Sequence, residues 1–233
     1  MVYRAVLWDW DGTLNPSRKI IHNFYLKLKK HGKNLNEFRQ TVEPDIYRYM
    51  YAEGIRGQEE LKRTQRAYLK YLQKRGRLVS GGREILEYID NILHVLQGVA
   101  SESSRRVYIT TVLERTDTSD FIDAIVAKED RRDEINKWKL LAQRLGVPIE
   151  ECIAVDDMKQ GIIGAREIGV GKAYGVTYGY HPKKLVMEAQ PDELVSSIPM
   201  LYNKLSVDLG IAVKRVEIKS IGRKIKLIKL PTN

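Results

Sequence analysis

The chain has 233 residues, 43% of them hydrophobic, and a formal net charge of +10. That is the composition of a globular domain with room for an insert, and no apolar run approaches the roughly 18 residues of a membrane-spanning helix. The sequence runs from Met1 straight into strand-like YRAVLW, so no signal peptide is expected, and the single cysteine, Cys152, fits a core position in a reducing cytoplasm.

In chain order, residues 2–8, VYRAVLW, read as a short apolar strand. Asp9, Asp11, Gly12 and Thr13 follow it at once. Residues 17–77 read as helical: Ile20, Ile21, Phe24, Tyr25 and Leu28 carry helical spacing, and later stretches repeat it between Gly, Pro and Asn breaks. SGGREILEYIDNILHVLQG is expected as one further helix and RRVYITT as a strand. FIDAIVA reads as a short strand, NKWKLLAQRLGV as a helix closed by Gly146, CIAVDD as a strand and MKQGIIGAREIG as a helix. KAYGVTYG reads as a strand and PDELVSSIPMLYNKL as the last helix. The tail IAVKRVEIKSIGRKIKLIKL alternates basic and apolar residues about a turn at Ser220–Gly222, as a two-stranded ribbon does.

Helices alternating with short apolar strands from residue 78 onward predict an α/β fold, a Rossmann-like parallel sheet with helices on both faces. The helical segment interrupts that alternation right after the first strand, as a small all-helical cap. The expected organisation is a core of residues 1–14 and 78–203, a cap of 15–77 and a basic ribbon extension of 204–233. Charge follows these divisions. The cap holds 16 Lys and Arg against 6 Asp and Glu and the tail 8 against 2, whereas the core is mildly acidic. Anionic partners are therefore expected near the cap and tail.

Asp9, Asp11 and the pair Asp156–Asp157 all fall at carboxyl ends of expected strands, where open α/β sheets bind ligands. Converging carboxylates repel one another and are costly to desolvate, and a divalent cation removes that cost. Carboxylate and carbonyl oxygens with water are the donors that magnesium prefers. A carboxylate beside such a cation can attack a phosphoryl group, and a second one can protonate the leaving oxygen and then activate water. Gly12 lets the chain turn sharply after the strand.

DWDGTL resembles the first signature of the haloacid dehalogenase superfamily in its phosphatase branch, and AVDDMKQGIIGAREIGV resembles the acidic signature of members such as β-phosphoglucomutase and phosphoglycolate phosphatase. LVSGGREILEYI, VYITT, VTYGYH and QPDELVSSIPML fit the segments between and after them. The resemblance implies that Asp9 is the nucleophile that becomes an aspartyl-phosphate. It makes Asp11 the general acid and base, with its backbone carbonyl on magnesium. Asp157 would ligate the metal and Asp156 support it. Thr110, or the adjacent Thr111, would hold a phosphate oxygen, and Gly12 belongs to the substrate loop. The cation facing the phosphate is assigned to Lys137, after Asn136 as a helix cap, with Lys139 and Arg132 as the other candidates. Dehalogenation needs no acid at the second position, so Asp11 argues for phosphoryl transfer; hydrolysis and mutase chemistry stay open.

The cap is rich in tyrosine (Tyr25, Tyr47, Tyr49, Tyr51, Tyr68 and Tyr71), which reads as helix packing or as an aromatic wall over substrate. A lid of that size favours a small phosphorylated metabolite. The alternatives are a phosphatase for nucleic-acid phosphate ends, using the basic cap and tail, and a non-catalytic binding protein of the same fold. The preferred reading of the tail is an edge hairpin or dimer contact rather than a nucleic-acid surface.

Overall fold

The computed structural model describes residues 2–28, 57–102, 104–130 and 135–210, together with the backbone of 217–221 and 224–228. β1 (Ala5–Asp9) is buried along its whole length. Its side chains alternate: Val6 and Trp8 enter the core on one face of the sheet, Ala5 and Leu7 the core on the other. Five more strands join it in parallel: β2 (Leu96–Ala100), β3 (Ala124–Val126), β4 (Cys152–Asp156), β5 (Lys172–Val176) and β6 (Glu193–Val195). The order is β3-β2-β1-β4-β5-β6. Chain direction across the sheet reverses between β1 and β4, which is the topological switch point where such sheets bind ligands. Trp8 pairs with Val155, so Asp9 and Asp156 stand level at that point.

Helices cover both faces, as the alternation predicts. On the Trp8 face lie α3 (Gly82–Tyr88), α4 (Arg106–Arg115) and α8 (Ile198–Asp208). On the Leu7 face lie α5 (Lys137–Leu145), α6 (Lys159–Glu167) and α7 (Lys183–Glu188). Cys152 is fully buried in the second core. Between β1 and α3 come α1 (Ser17–Leu28) and α2 (Gln58–Arg75), whose Phe24, Tyr68 and Leu72 join the first core. Phe24 stacks on Tyr68 and Tyr71 at 5.2 and 5.4 Å between ring centres, so these two tyrosines pack the helix pair. The middle of the expected cap, including Tyr47, Tyr49 and Tyr51, lies outside the described residues. The tail forms β7 (Glu217–Ile221) and β8 (Lys224–Ile228), paired antiparallel with Lys219 opposite Lys226.

Three expected elements are corrected. SGGREILEYIDNILHVLQG is α3, a wider helical turn at Ile89–Leu93 and then strand β2. Strand identity there comes from burial between β1 and β3, and a side chain at Gly98 would run into Leu141, with its Cβ 2.7 Å from Cδ1. RRVYITT is helix α4 and not a strand. Its β-branched residues favour extension, but Tyr108, Ile109, Val112 and Leu113 recur at helical spacing and bury one face. PDELVSSIPMLYNKL splits into β6 and α8, with the Ser197 hydroxyl accepting from the Met200 N–H at the helix start.

Candidate active site

The first strand delivers Asp9 to the switch point and then must turn. The Asn15 N–H bonds to the Trp10 carbonyl and the Gly12 N–H to the Asn15 carbonyl, which closes a tight loop. Gly12 sits at φ 99°, a left-handed conformation that L side chains avoid, and a Cβ there would collide with the Asp157 carboxylate. Glycines wall the other acids as well: a Cβ at Gly179 would strike Asp157, and one at Gly161 would strike Asp156. The sequence thus reserves space around two carboxylates at the end of β4.

Asp9, Asp156 and Asp157 are all buried and offer carboxylate oxygens within 4.8 Å of one another. Lys137 lies among them, 5% exposed, with Nζ 2.6 Å from Asp9 Oδ1 and 2.8 Å from Asp156 Oδ2. Its place is fixed by α5. The Asn136 side chain accepts from the Trp138 N–H at 2.9 Å and donates to the Gly164 carbonyl at 2.8 Å. The Trp138 indole N–H donates to the Gly161 carbonyl at 2.9 Å. Asn136 is therefore the helix cap that the sequence indicated, and it aims the first residue of α5 into the site. Lys139 is exposed, and Arg132 lies outside the described residues.

Among the described residues the site is short of positive charge. Burial and the adjacent Asp156 push Asp9 well above the ordinary carboxylate range, with Lys137 opposing them. Burial and Asp156 push Asp157 up to about 8, against the Tyr180 N–H and Lys137. Burial would lower the Lys137 ammonium, but Asp156 and Asp9 outweigh it and hold the pKa above the ordinary lysine value. Among the described residues, one ammonium thus faces three buried carboxylates. A hard divalent cation fits this donor set: oxygen ligands only, clustered, and carrying an excess of negative charge.

Asp11 points elsewhere. Its Oδ2 accepts from the Ser101 hydroxyl at 2.7 Å and from the Ser104 hydroxyl at 2.8 Å. Ser101 follows β2 directly, and its Oγ accepts from the Ser104 N–H at 2.8 Å. Thr110 and Thr111 do not join this group. Both are on α4, where their hydroxyls bond back to the Arg106 and Val107 carbonyls. The strand-end hydroxyl expected from them is supplied by Ser101. Sequence reasoning missed Ser101 and Ser104, although the stretch VASESS has the pattern of AVDD, an apolar strand end followed by polar residues. It also missed Thr13, whose hydroxyl lies 3.4 Å from Asp157 Oδ1, and the Tyr180 N–H, which donates to Asp157 Oδ2.

An open parallel sheet with buried carboxylates and a lysine at its switch point defines a Rossmann-like α/β enzyme. Residues 6–174 match the model of the haloacid dehalogenase-like hydrolases, and the chain belongs to that family. It is therefore a hydrolase of that family, and it carries at Asp11 the second aspartate that dehalogenation does not require. A relative from Thermotoga maritima, named phosphorylated carbohydrates phosphatase, is 22% identical over 219 residues, covering 82% of this chain and 96% of the relative. A haloacid dehalogenase family hydrolase from Deinococcus radiodurans, solved with bound phosphate and sodium, superposes with a TM-score of 0.72 at 19% identity. The match covers 90% of this chain and 99% of that one. A haloacid dehalogenase-like hydrolase from Streptococcus pneumoniae gives 0.65 at 18% identity, over 84% and 94%. Among the described residues no helix is long and apolar enough to cross a membrane.

Proposed function

We propose that this protein is a magnesium-dependent phosphatase that hydrolyses a small phosphorylated metabolite through an aspartyl-phosphate on Asp9. The observation that carries the proposal is the division of labour between two carboxylates. Asp9 is gripped by Lys137 within the acidic cluster, whereas Asp11 is held apart from it by two serine hydroxyls. The name of the Thermotoga maritima relative supports a phosphorylated carbohydrate as the substrate class. A cytoplasmic setting suits such a substrate.

Asp9, Asp157 and the Asp11 backbone carbonyl would hold magnesium, with Asp156 in support. Bound there, the ion would neutralise the cluster and charge developing on the phosphoryl group. The remaining steps belong to the chain. Lys137 fixes the Asp9 carboxylate, and with the Ser101 hydroxyl it receives phosphoryl oxygens. An Asp9 oxygen attacks phosphorus as the bond from phosphorus to the leaving oxygen breaks, and that oxygen takes a proton from Asp11. Asp11, now a carboxylate, removes a proton from water. The water oxygen attacks phosphorus, the bond to Asp9 breaks, and inorganic phosphate leaves with both aspartates restored.

A panel of sugar, polyol and nucleotide phosphates and phosphoglycolate, assayed with magnesium and with chelator, tests the reading. Turnover of carbohydrate phosphates that chelator abolishes and added magnesium restores is the expected result. Full activity in excess chelator would overturn the metal assignment. Activity confined to an oligonucleotide phosphate would overturn the substrate class.

A further inference from the structure

The two serines that hold Asp11 are not equivalent. A hydroxyl has one proton to donate. The Ser101 hydroxyl donates to Asp11, yet it stands at the strand end where the proposed mechanism has a phosphoryl oxygen received. It cannot serve both at once. When phosphate accepts that hydrogen bond, Asp11 loses the Ser101 donor just as it must meet the leaving oxygen. Ser104 lies three residues further on, 8% exposed, with its hydroxyl on the same Asp11 oxygen. Its backbone N–H donates to the Ser101 oxygen, which also fixes where the Ser101 proton can point.

We infer that Ser104 is a positioning residue that keeps the Asp11 carboxyl group in reach of the leaving oxygen after Ser101 has turned to the phosphoryl group. The inference rests on the reading of Asp11 as acid and base. On this inference Ser104 stays on Asp11 through both transfers and is not among the residues that would hold the phosphoryl group or the metal. Its loss therefore harms the steps that need a placed proton and spares phosphate binding. A neutral donor on a carboxylate is worth about 10-fold or more in an equilibrium constant, which sets the scale of the effect.

The test compares Ser104→Ala, Ser104→Thr and Asp11→Asn, alone and combined, on an alkyl phosphate and on aryl phosphates of graded leaving-group acidity. Rapid mixing isolates the phosphorylation step. Ser104→Ala is expected to slow it about 10-fold or more on the alkyl phosphate, with KM within about twofold. The loss should shrink as the leaving group becomes more acidic, and Ser104→Thr should restore most of the rate. In the Asp11→Asn background, Ser104→Ala should have no further effect. Equal losses across all leaving groups, or an undiminished loss in the Asp11→Asn background, would overturn the inference. If Asp11→Asn alone kept full activity on the alkyl phosphate, the acid–base reading itself would fail. Should Ser104→Ala not fold, Ser104→Thr and Ser104→Gly provide the same comparison.

Discussion

Replacing Lys137 with methionine removes the lysine that bonds the acidic cluster while keeping most of the buried volume. Two charge-assisted hydrogen bonds go with it, at 2.6 Å to Asp9 and 2.8 Å to Asp156, and all three groups are buried. Breaking a buried ion pair from one side costs about 3–5 kcal/mol, because the abandoned charge stays buried. At about 2–4 °C per kcal/mol for a chain of this size, Lys137→Met should melt about 6–20 °C lower in chelator. Part of the cost is relieved by proton uptake onto the carboxylates, whose folded-state pKa values are already raised. A folded state that holds more protons than the unfolded one loses stability as pH rises, so the deficit should be larger at high pH than at low pH. Magnesium should recover part of it by binding the native state alone. The assay is thermal and urea unfolding across pH, with chelator and with magnesium, using the exposed neighbour Lys139→Met as control within about 0.5 kcal/mol of the parent. A melting shift in chelator of less than about 2 °C for Lys137→Met would refute the reasoning, since it would mean that Lys137 neutralises nothing.

Ser101→Ala should lower kcat/KM by about 10-fold or more, whereas Thr110→Ala and Thr111→Ala should stay within about twofold; steady-state kinetics decide. Asp130 is held at about 2, chiefly by its hydrogen bond from Arg144, with the Ala127 N–H and Arg106 contributing and burial opposing. A carboxyl with a lowered folded-state pKa adds stability that is present above its unfolded value and lost as pH falls through the folded one. Asp130→Asn should therefore destabilise at neutral pH, and the gap from the parent should close between about pH 4 and pH 2 in acid unfolding. Deleting residues 211–233 should leave hydrolysis of a small phosphate ester nearly unchanged. If deletion instead abolished a steeply salt-dependent affinity for an oligonucleotide, the tail would be a nucleic-acid surface.

The fold was legible where periodicity and punctuation agreed. The helix Lys137–Leu145 has a cap at Asn136 and Gly146 at φ 66°, both visible in the sequence, and β1 and β4 end in the acids that mark the switch point. It was illegible where a short buried strand followed a helix without a break. LQGVA continues the apolar spacing of the segment before it, and only its neighbours on both sides make it a strand. That slip displaced RRVYITT by one element and moved the strand-end hydroxyl from Ser101 to the threonines of α4. The three clustered carboxylates and Lys137 depended on motifs at strand and helix ends, and the structure brings all four together. The serine pair depended on a turn between β2 and α4, and no residue pattern announced its partner across the site.

The central claim is a covalent phosphoryl group on Asp9. The direct measurement is acid quenching after rapid mixing of an aryl phosphate with Asp11→Asn in magnesium, followed by peptide mass spectrometry. Asp11→Asn keeps the nucleophile but slows the water attack, so the phosphoryl adduct should accumulate on the peptide containing Asp9, and it should be absent from Asp9→Asn. A phosphoryl adduct in Asp9→Asn, or phosphate release by the parent enzyme with no adduct at Asp9 at any time point, would contradict the account.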